Sequence, residues 1–391
     1  MKCKRNSQRV LSFLQIQGSI ADFCQGSIPP KKTASLNGHP IPAGVLKSGC
    51  SLKSAVCEAR YIRHGGEPVG KERGKCSSLR RSRYFGFQKL LDLFKRIRYT
   101  KIKMKEYSAK ACAKINIGLK VLGRRADGYH DIETIFQSID LCDEISISTA
   151  EKGIQIISGH RDVPADETNL CWRAAQLLQA FSGEKRGCNI HIAKRIPVGA
   201  GLGGGSSDAA VTLRLLNRLW NLGLDDEVLF KIALKLGADV PFFLNPGSAV
   251  AYGVGEELRR FENKCVFFGV VVYPNIRIST AWAYGNLKLN LTNKKNYIKL
   301  ETYFVEKLLL QEYPLFFSND FESLVLEFYP ELNEIKALIL KSGADFAGLS
   351  GSGSAFFGLF QQEEKAKAAL TLFDSHPYQK FFVRPYREVP D

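Results

Sequence analysis

The sequence predicts an α+β protein of two folded domains, and three observations carry that prediction. From Ala111 onward amphipathic strands and helices follow one another, with no internal repeat and no low-complexity stretch. Between Pro197 and Ala210 a strand and a helix are joined by Pro-Val-Gly-Ala-Gly-Leu-Gly-Gly-Gly-Ser-Ser-Asp-Ala-Ala. After Gly253-Val-Gly-Glu the pattern restarts with a buried strand over 266–272, which places a domain boundary near residue 258.

Taken in order, Ala113, Ile115, Ile117, Leu119 and Val121 alternate with Lys114, Asn116, Gly118 and Lys120, so the first strand carries Lys114 and Asn116 on one polar face. Asp127-Gly128 signals a turn, and two further strands are expected through Ile132 to Ile147. A helix follows over Asn169 to Phe181. The run from Cys188 to Ile196 alternates as a strand, whereas Ala209, Ala210, Leu213, Leu216 and Trp220 recur at helical spacing. Ser206, Ser207 and Asp208 are the expected caps of that helix. Glu227 to Leu236 reads as another helix, closed by Gly237 in a left-handed conformation, with Ala238-Asp239-Val240-Pro241 directly after it. Beyond the boundary, helices over Glu301 to Gln311 and Glu331 to Ser342 alternate with strands. A second glycine turn, Gly348 to Ser354, lies between Phe346 and the pair Phe356 and Phe357.

The glycine loop is the chemical centre of the chain. Gly199, Gly201 and Gly203 to Gly205 remove the Cβ atoms that would keep a backbone off a ligand. The first amides of the helix, with its dipole behind them, face into the loop, which is the make-up of a phosphate site. The run also satisfies G-x-G-x-x-G at Gly199, Gly201 and Gly204, but no second strand ends in an acid at the spacing a dinucleotide fold needs, and Gly-Lys-Ser/Thr is absent.

These residues resemble the ATP loop of the galactokinase, homoserine kinase, mevalonate kinase and phosphomevalonate kinase superfamily, over about Ser108 to the C-terminus. The resemblance implies an N-terminal domain (104–258) with a left-handed βαβ unit, a ferredoxin-like C-terminal domain (259–391), and a site between them. It implies ATP bound by Pro197, Val198, Gly199, Ala200, Gly201, Leu202, Gly203, Gly204, Gly205, Ser206 and Ser207. Mg²⁺ is expected to arrive with ATP and to touch Ser207, since nothing clusters as a metal cage. The Ala-Lys-Ile-Asn and Gly-Ala-Asp-Val-Pro motifs place Asp239 as general base and Lys114 as its partner; read without the resemblance, Lys114 is a solvated strand residue and Asp239 a turn or cap. Gly-Tyr-His, at Tyr129 and His130, implies contact with cytosine, with Asn116, Thr280 and Tyr284 completing the acceptor site. Gly351, Ser352 and Gly353 match the last glycine motif. The implied reaction is transfer of phosphate from ATP to the 2-hydroxyl of a cytidine-diphosphate-linked methylerythritol, in non-mevalonate isoprenoid synthesis, by a monomer or weak homodimer.

Charge divides the chain at the same place. Of 55 Lys and Arg and 39 Asp and Glu, residues 1–103 hold 22 and 5, so the whole net charge of +16 lies upstream of the resemblance. That stretch lacks sustained periodicity and has eleven serines, and the chain's second methionine is Met104. Three readings stand: a start assigned too far upstream, a transit peptide, or a basic partner-binding arm. The first makes the protein cytoplasmic and the second places it in the plastid stroma. The ten cysteines form no C-x-x-C, so reduced thiols are expected, with neither a zinc site nor a disulfide framework. No apolar run is long enough to span a bilayer. The rivals to the kinase reading are a homoserine or mevalonate kinase, a nicotinamide-dependent oxidoreductase, and a nucleic-acid-binding protein using the basic arm.

Overall fold

The computed structural model describes residues 105–262, 267–287 and 317–386, together with an antiparallel pairing of Ser35–Leu36 with His39–Pro40. Apart from that pairing, the expectations for residues 1–103 lie outside the described residues, as does the helix expected over Glu301 to Gln311.

The first sheet is built on two long antiparallel strands, β1 (Glu106–Arg124) and β2 (His130–Ala150). Where the sequence suggested two strands through Ile132 to Ile147, the chain makes one. Its first half pairs with β5 (Ser248–Tyr252) and its second half with β4 (Gly187–Ala193), so two different neighbours supply one edge of it. Strand β3 (Ile154–Ser158) runs parallel to β4 and reaches it through helix α1 (Leu170–Ser182), giving a βαβ unit. Asn169 caps α1 through its side chain, and Gly183 closes it at φ 72°. Helices α2 (Gly204–Leu219), α3 (Asp226–Leu234) and α4 (Val240–Leu244) follow, and β6 (Glu257–Arg260) completes the sheet against β5, carrying this lobe through the boundary expected near 258.

Two sequence expectations about helix ends are corrected. Helix α2 begins at Gly204, with Gly203 as its cap at φ 71°, so Ser206, Ser207 and Asp208 lie inside its opening turns. Helix α3 ends at Lys235 in right-handed geometry and Gly237 is not left-handed; Leu236 and Gly237 donate instead to the carbonyl of Ala233.

The second sheet is antiparallel, from β7 (Phe268–Tyr273), β8 (Phe346–Leu349), β9 (Phe356–Phe360) and β10 (Gln379–Val383), in the order β8-β9-β7-β10. Helices α5 (Thr280–Asn286), α6 (Asp320–Phe328), α7 (Leu332–Lys341) and α8 (Glu363–Thr371) accompany it. This is the strand order of a ferredoxin-like α+β domain. One face of the first sheet packs on α1 to α4; the other meets the second sheet through Ile115, Ile117, Ile139 and Val250 against Val271, Phe357 and Val383. Burial on both sides explains why β1 is continuously buried from Ala111 to Leu119. Its polar face is therefore no solvated face: Lys114 and Asn116 are both buried.

The same register corrects the cysteine expectation. Cys112 and Cys142 stand directly opposite on β1 and β2, with Cα atoms 3.9 Å apart, and form a disulfide. Cys171 and Cys188 are free and buried, and burial pushes the Cys188 thiol up to about 12. No helix among the described residues is long and apolar enough to cross a membrane.

Candidate active site

A cavity of about 1060 Å³ opens where the glycine loop, the middle of β1, the β1–β2 hairpin, α5 and the second glycine turn converge. The loop runs from the end of β4 into α2, and contacts from both lobes hold its shape. The Lys114 amide donates to the Leu202 carbonyl at 3.0 Å. From the second lobe, the Ala355 amide donates to the Ala200 carbonyl, the Ser350 hydroxyl to the Gly201 carbonyl and the Tyr273 hydroxyl to the Val198 carbonyl. Two glycines are required by this packing. Gly201 has φ 79°, and a Cβ there would fall 2.1 Å from the Ser350 carbonyl oxygen. Gly203 has φ 71°, and a Cβ would meet the Phe243 ring at 2.6 Å and Lys114 Cγ at 3.2 Å. The first amides of α2 have no helical carbonyl to bond and carry the positive end of its dipole at the cavity wall.

Lys114 projects into this space from β1. Its ammonium donates to Asn116 Oδ1, lies 3.6 Å from Asp239 Oδ2 and sits over the Phe136 ring. Burial pushes the Lys114 pKa down, against the opposing pull of Asp239. Asn116 is fixed in turn by donating to Thr134 Oγ1, which donates to the Gly118 carbonyl. Asp239 occupies the cap position of α4 but makes no side-chain capping bond, and its side chain is 35% exposed. The turn-or-cap role therefore does not account for its carboxylate, which faces Lys114.

At the acceptor end His130 stacks on Tyr284, with centroids 5.0 Å apart at 27°, and Tyr284 meets Phe321 edge-on. Burial, with Arg124 nearby, lowers the His130 pKa; burial, with Asp239 nearby, raises that of Tyr284. Tyr129 is 65% exposed at the cavity lip. Thr280 and Ser352 share a hydrogen bond of 3.0 Å across the opposite wall.

Every residue singled out from the sequence for ATP, catalysis or the acceptor lines this cavity except Ser207. Ser207 is buried and lines a small separate cavity with Ala109, Lys110 and Val211, so Ser206 is the loop serine that faces the cleft. Of the last glycine motif, Gly351 and Ser352 line the wall.

Sequence reasoning missed two supports. Asn319 caps α6 through its carbonyl oxygen and uses its amide to hold the carbonyls of Leu349 and Gly351, fixing the second glycine turn. An Asn followed by Phe321, Leu324 and Val325 at helical spacing was a readable helix start. The other is Lys194, immediately before the loop, whose ammonium lies 2.5 Å from Asp143 and 2.6 Å from Asp208, all three buried. Burial lowers the Lys194 pKa and the two carboxylates more than reverse that, leaving it raised. Nothing in the sequence marks those partners.

Residues 169–247 match the GHMP kinases N terminal domain and residues 305–376 the GHMP kinases C terminal family. The chain is 45% identical over 271 residues to a 4-diphosphocytidyl-2-C-methyl-D-erythritol kinase of Prosthecochloris aestuarii, covering 68% of this chain and 93% of that protein. It is 44% identical over 282 residues to the kinase of the same name from Geobacter sulfurreducens, covering 72% and 99%. A crystal structure of 4-(cytidine 5'-diphospho)-2C-methyl-D-erythritol kinase superposes with a TM-score of 0.61 at 34% identity, over 72% of this chain and all of that one. Methanococcus jannaschii mevalonate kinase, at 18% identity and a TM-score of 0.56 over 72% of this chain and 99% of its own, shares the fold.

Proposed function

This chain belongs to the 4-diphosphocytidyl-2-C-methyl-D-erythritol kinase family of GHMP kinases, and we propose that its cleft transfers the γ-phosphate of ATP to the 2-hydroxyl of that cytidine-diphosphate-linked substrate, with Asp239 and Lys114 at the point of transfer. The observation that carries the reading is the 3.6 Å pair of Lys114 and Asp239, lying in one cavity with a phosphate-type glycine loop and a stacked aromatic pair.

In the reaction the acceptor oxygen forms a bond to the γ-phosphorus as the bond from that phosphorus to the β–γ bridging oxygen breaks, and ADP leaves. Asp239, uncapped and partly exposed, takes the hydroxyl proton. The Lys114 ammonium, 3.6 Å from that carboxylate, stabilises the charge moving between acceptor and phosphate. Residues 198–206 present backbone amides to the phosphates. His130 and Tyr284 supply aromatic faces for cytosine, and Thr280 and Asn116 polar groups for the sugar-alcohol end.

Mg²⁺ would enter with the nucleotide, and Ser206 at the cleft wall offers a hard hydroxyl oxygen for it. Ser206 would hold it together with the phosphate oxygens, and the ion would offset phosphate charge.

The test is phosphate transfer by purified protein from ATP to 4-diphosphocytidyl-2-C-methyl-D-erythritol, beside mevalonate and homoserine. Transfer to the cytidine-linked alcohol alone is expected. Efficient use of either small alcohol, with indifference to added CMP or CDP, would overturn the acceptor assignment.

A further inference from the structure

The phosphate loop is tied down from beneath by a group that the reaction does not use. Lys194 follows the last residue of β4, and its side chain is 4% exposed. One carboxylate, Asp143 on β2, accepts both the Lys194 ammonium and the backbone amides of Arg195 and Ile196, at 2.5 and 2.9 Å. The other, Asp208, is on the opening turns of α2, and its second oxygen is buried without a hydrogen-bond partner. Asp208 thus depends on Lys194 for its charge-assisted bond. Gly204, the first residue of α2, rests on the same ammonium: a Cβ at Gly204 would come 3.0 Å from Lys194 Nζ.

We propose that Lys194 is a positioning residue, a buried cross-brace which, through Asp143 and Asp208, fixes the end of β4 to the start of α2 and so sets the spacing of the loop amides for the phosphates of ATP. The proposal rests on the kinase reading of the cleft. The reasoning is geometric. The loop leaves the fold at Lys194 and rejoins it at Asp208, so a bond between these two ends limits the backbone between them whatever the loop's own glycines allow. Amides held at fixed spacing need no reorganisation when an anion arrives, which is where a preorganised site gains its affinity. With both carboxylates accepting its hydrogen bonds, the ammonium serves the loop's shape.

Removing Lys194 alone leaves two buried carboxylates side by side, so the informative variant replaces the pair across the loop, Lys194→Met with Asp208→Leu, while Asp143 keeps its two amides. Apolar replacement of buried ion pairs is often neutral for stability. The expected result is a folded protein in which nucleotide-free amide exchange over residues 199–207 rises about tenfold or more, the KM for ATP rises about tenfold, and kcat and the acceptor KM change less than about threefold. Lys194→Arg, which keeps both ion pairs, should restore the KM for ATP to within about threefold of wild type. Unchanged loop exchange and an unchanged KM for ATP in the folded double variant would overturn the proposal, as would Lys194→Arg failing to restore the KM. Should the double variant not fold, Asp208→Asn alone decides: a selective rise in the KM for ATP supports the brace, and a wild-type value overturns it. A wild-type protein that neither binds ATP nor phosphorylates the acceptor would instead sink the kinase reading, and loop exchange without nucleotide would still report on the brace.

Discussion

Lys114, on β1, and Lys194, just past the end of β4, line the same cleft from either side of β2, and the side chains of both are about 95% buried, yet their surroundings treat them oppositely. Lys194 has two buried carboxylates at hydrogen-bond distance, which more than reverse the effect of burial and leave its pKa raised. Lys114 has an amide oxygen and one half-exposed carboxylate at 3.6 Å, and burial wins, so its pKa falls. A buried ammonium held by two carboxylates holds structure together. An under-compensated one is costly to the fold and available to a substrate whose phosphates complete its surroundings.

The largest effect that tests this contrast is on turnover. Asp239→Asn should lower kcat about 10²- to 10⁴-fold, the usual range for a general base, with little change in melting temperature because Asp239 caps nothing. Lys114→Met should lower turnover comparably while leaving stability unchanged or raised, since it removes a poorly paired buried charge. Near-normal turnover in Asp239→Asn, accompanied by lost stability, would break the distinction. Lys194→Met alone should do the reverse of Lys114→Met: denaturant unfolding should show a loss of about 3–5 kcal/mol, because Asp143 and Asp208 are left buried and unpaired. A variant as stable as wild type would show that the brace is not compensating those carboxylates.

Gly203→Val sharpens the same comparison from the loop side. From the sequence a branched side chain there is expected to fill phosphate space; in the structure it meets Phe243 and Lys114 Cγ first. Kinetics should therefore show a fall in kcat together with weaker ATP binding, whereas a change confined to the KM for ATP would favour the simpler steric account. At the acceptor end, Tyr284→Ala should raise the acceptor KM by about 1–3 kcal/mol of lost stacking and leave the KM for ATP nearly unchanged. Tyr129→Ala should do less, since Tyr129 is largely exposed while Tyr284 is packed between His130 and Phe321. Equal effects of the two substitutions would mean that the lip closes over the substrate.

Much of this site was legible because its chemistry is local in sequence. The loop is one continuous run whose glycines mark a phosphate site by residue type alone, and spacing puts Lys114 and Asn116 on one strand face, while the roles expected of Lys114 and Asp239 come from the resemblance that their short motifs carry. What escaped was assembled by the fold. Asp143 lies 51 residues before Lys194, and only the antiparallel register of β2 with β4 brings the two together. Cys112 and Cys142 are opposed by the register of β1 with β2, which no spacing of cysteines announces. The single length of β2 was hidden for a similar reason: its neighbour changes midway from β5 to β4, and sequence shows a strand's pattern but not what it pairs with.

The smallest expected effect is in the pH profile, and there the two lysines should separate most cleanly. The ordinary lysine value is 10.5, and Lys114 lies below it. As pH rises through that lowered value the ammonium is lost, so kcat should fall on the alkaline side earlier than an unperturbed lysine would dictate. Stability moves the other way. Between the folded and unfolded values the unfolded chain binds more protons at this site, so the contribution of Lys114 to folding becomes more favourable as pH rises. For Lys194, whose folded value is raised, the sign reverses: its contribution is fully present below 10.5 and is lost only as pH rises through its folded value. In Lys114→Met the alkaline rise in unfolding free energy, relative to wild type, should vanish, and in Lys194→Arg the alkaline loss should shift upward because the guanidinium does not titrate there. An alkaline limb of kcat at the ordinary lysine value would show that Asp239 and Asn116 compensate Lys114 as fully as Asp143 and Asp208 compensate Lys194, and the contrast between the two sites would be gone.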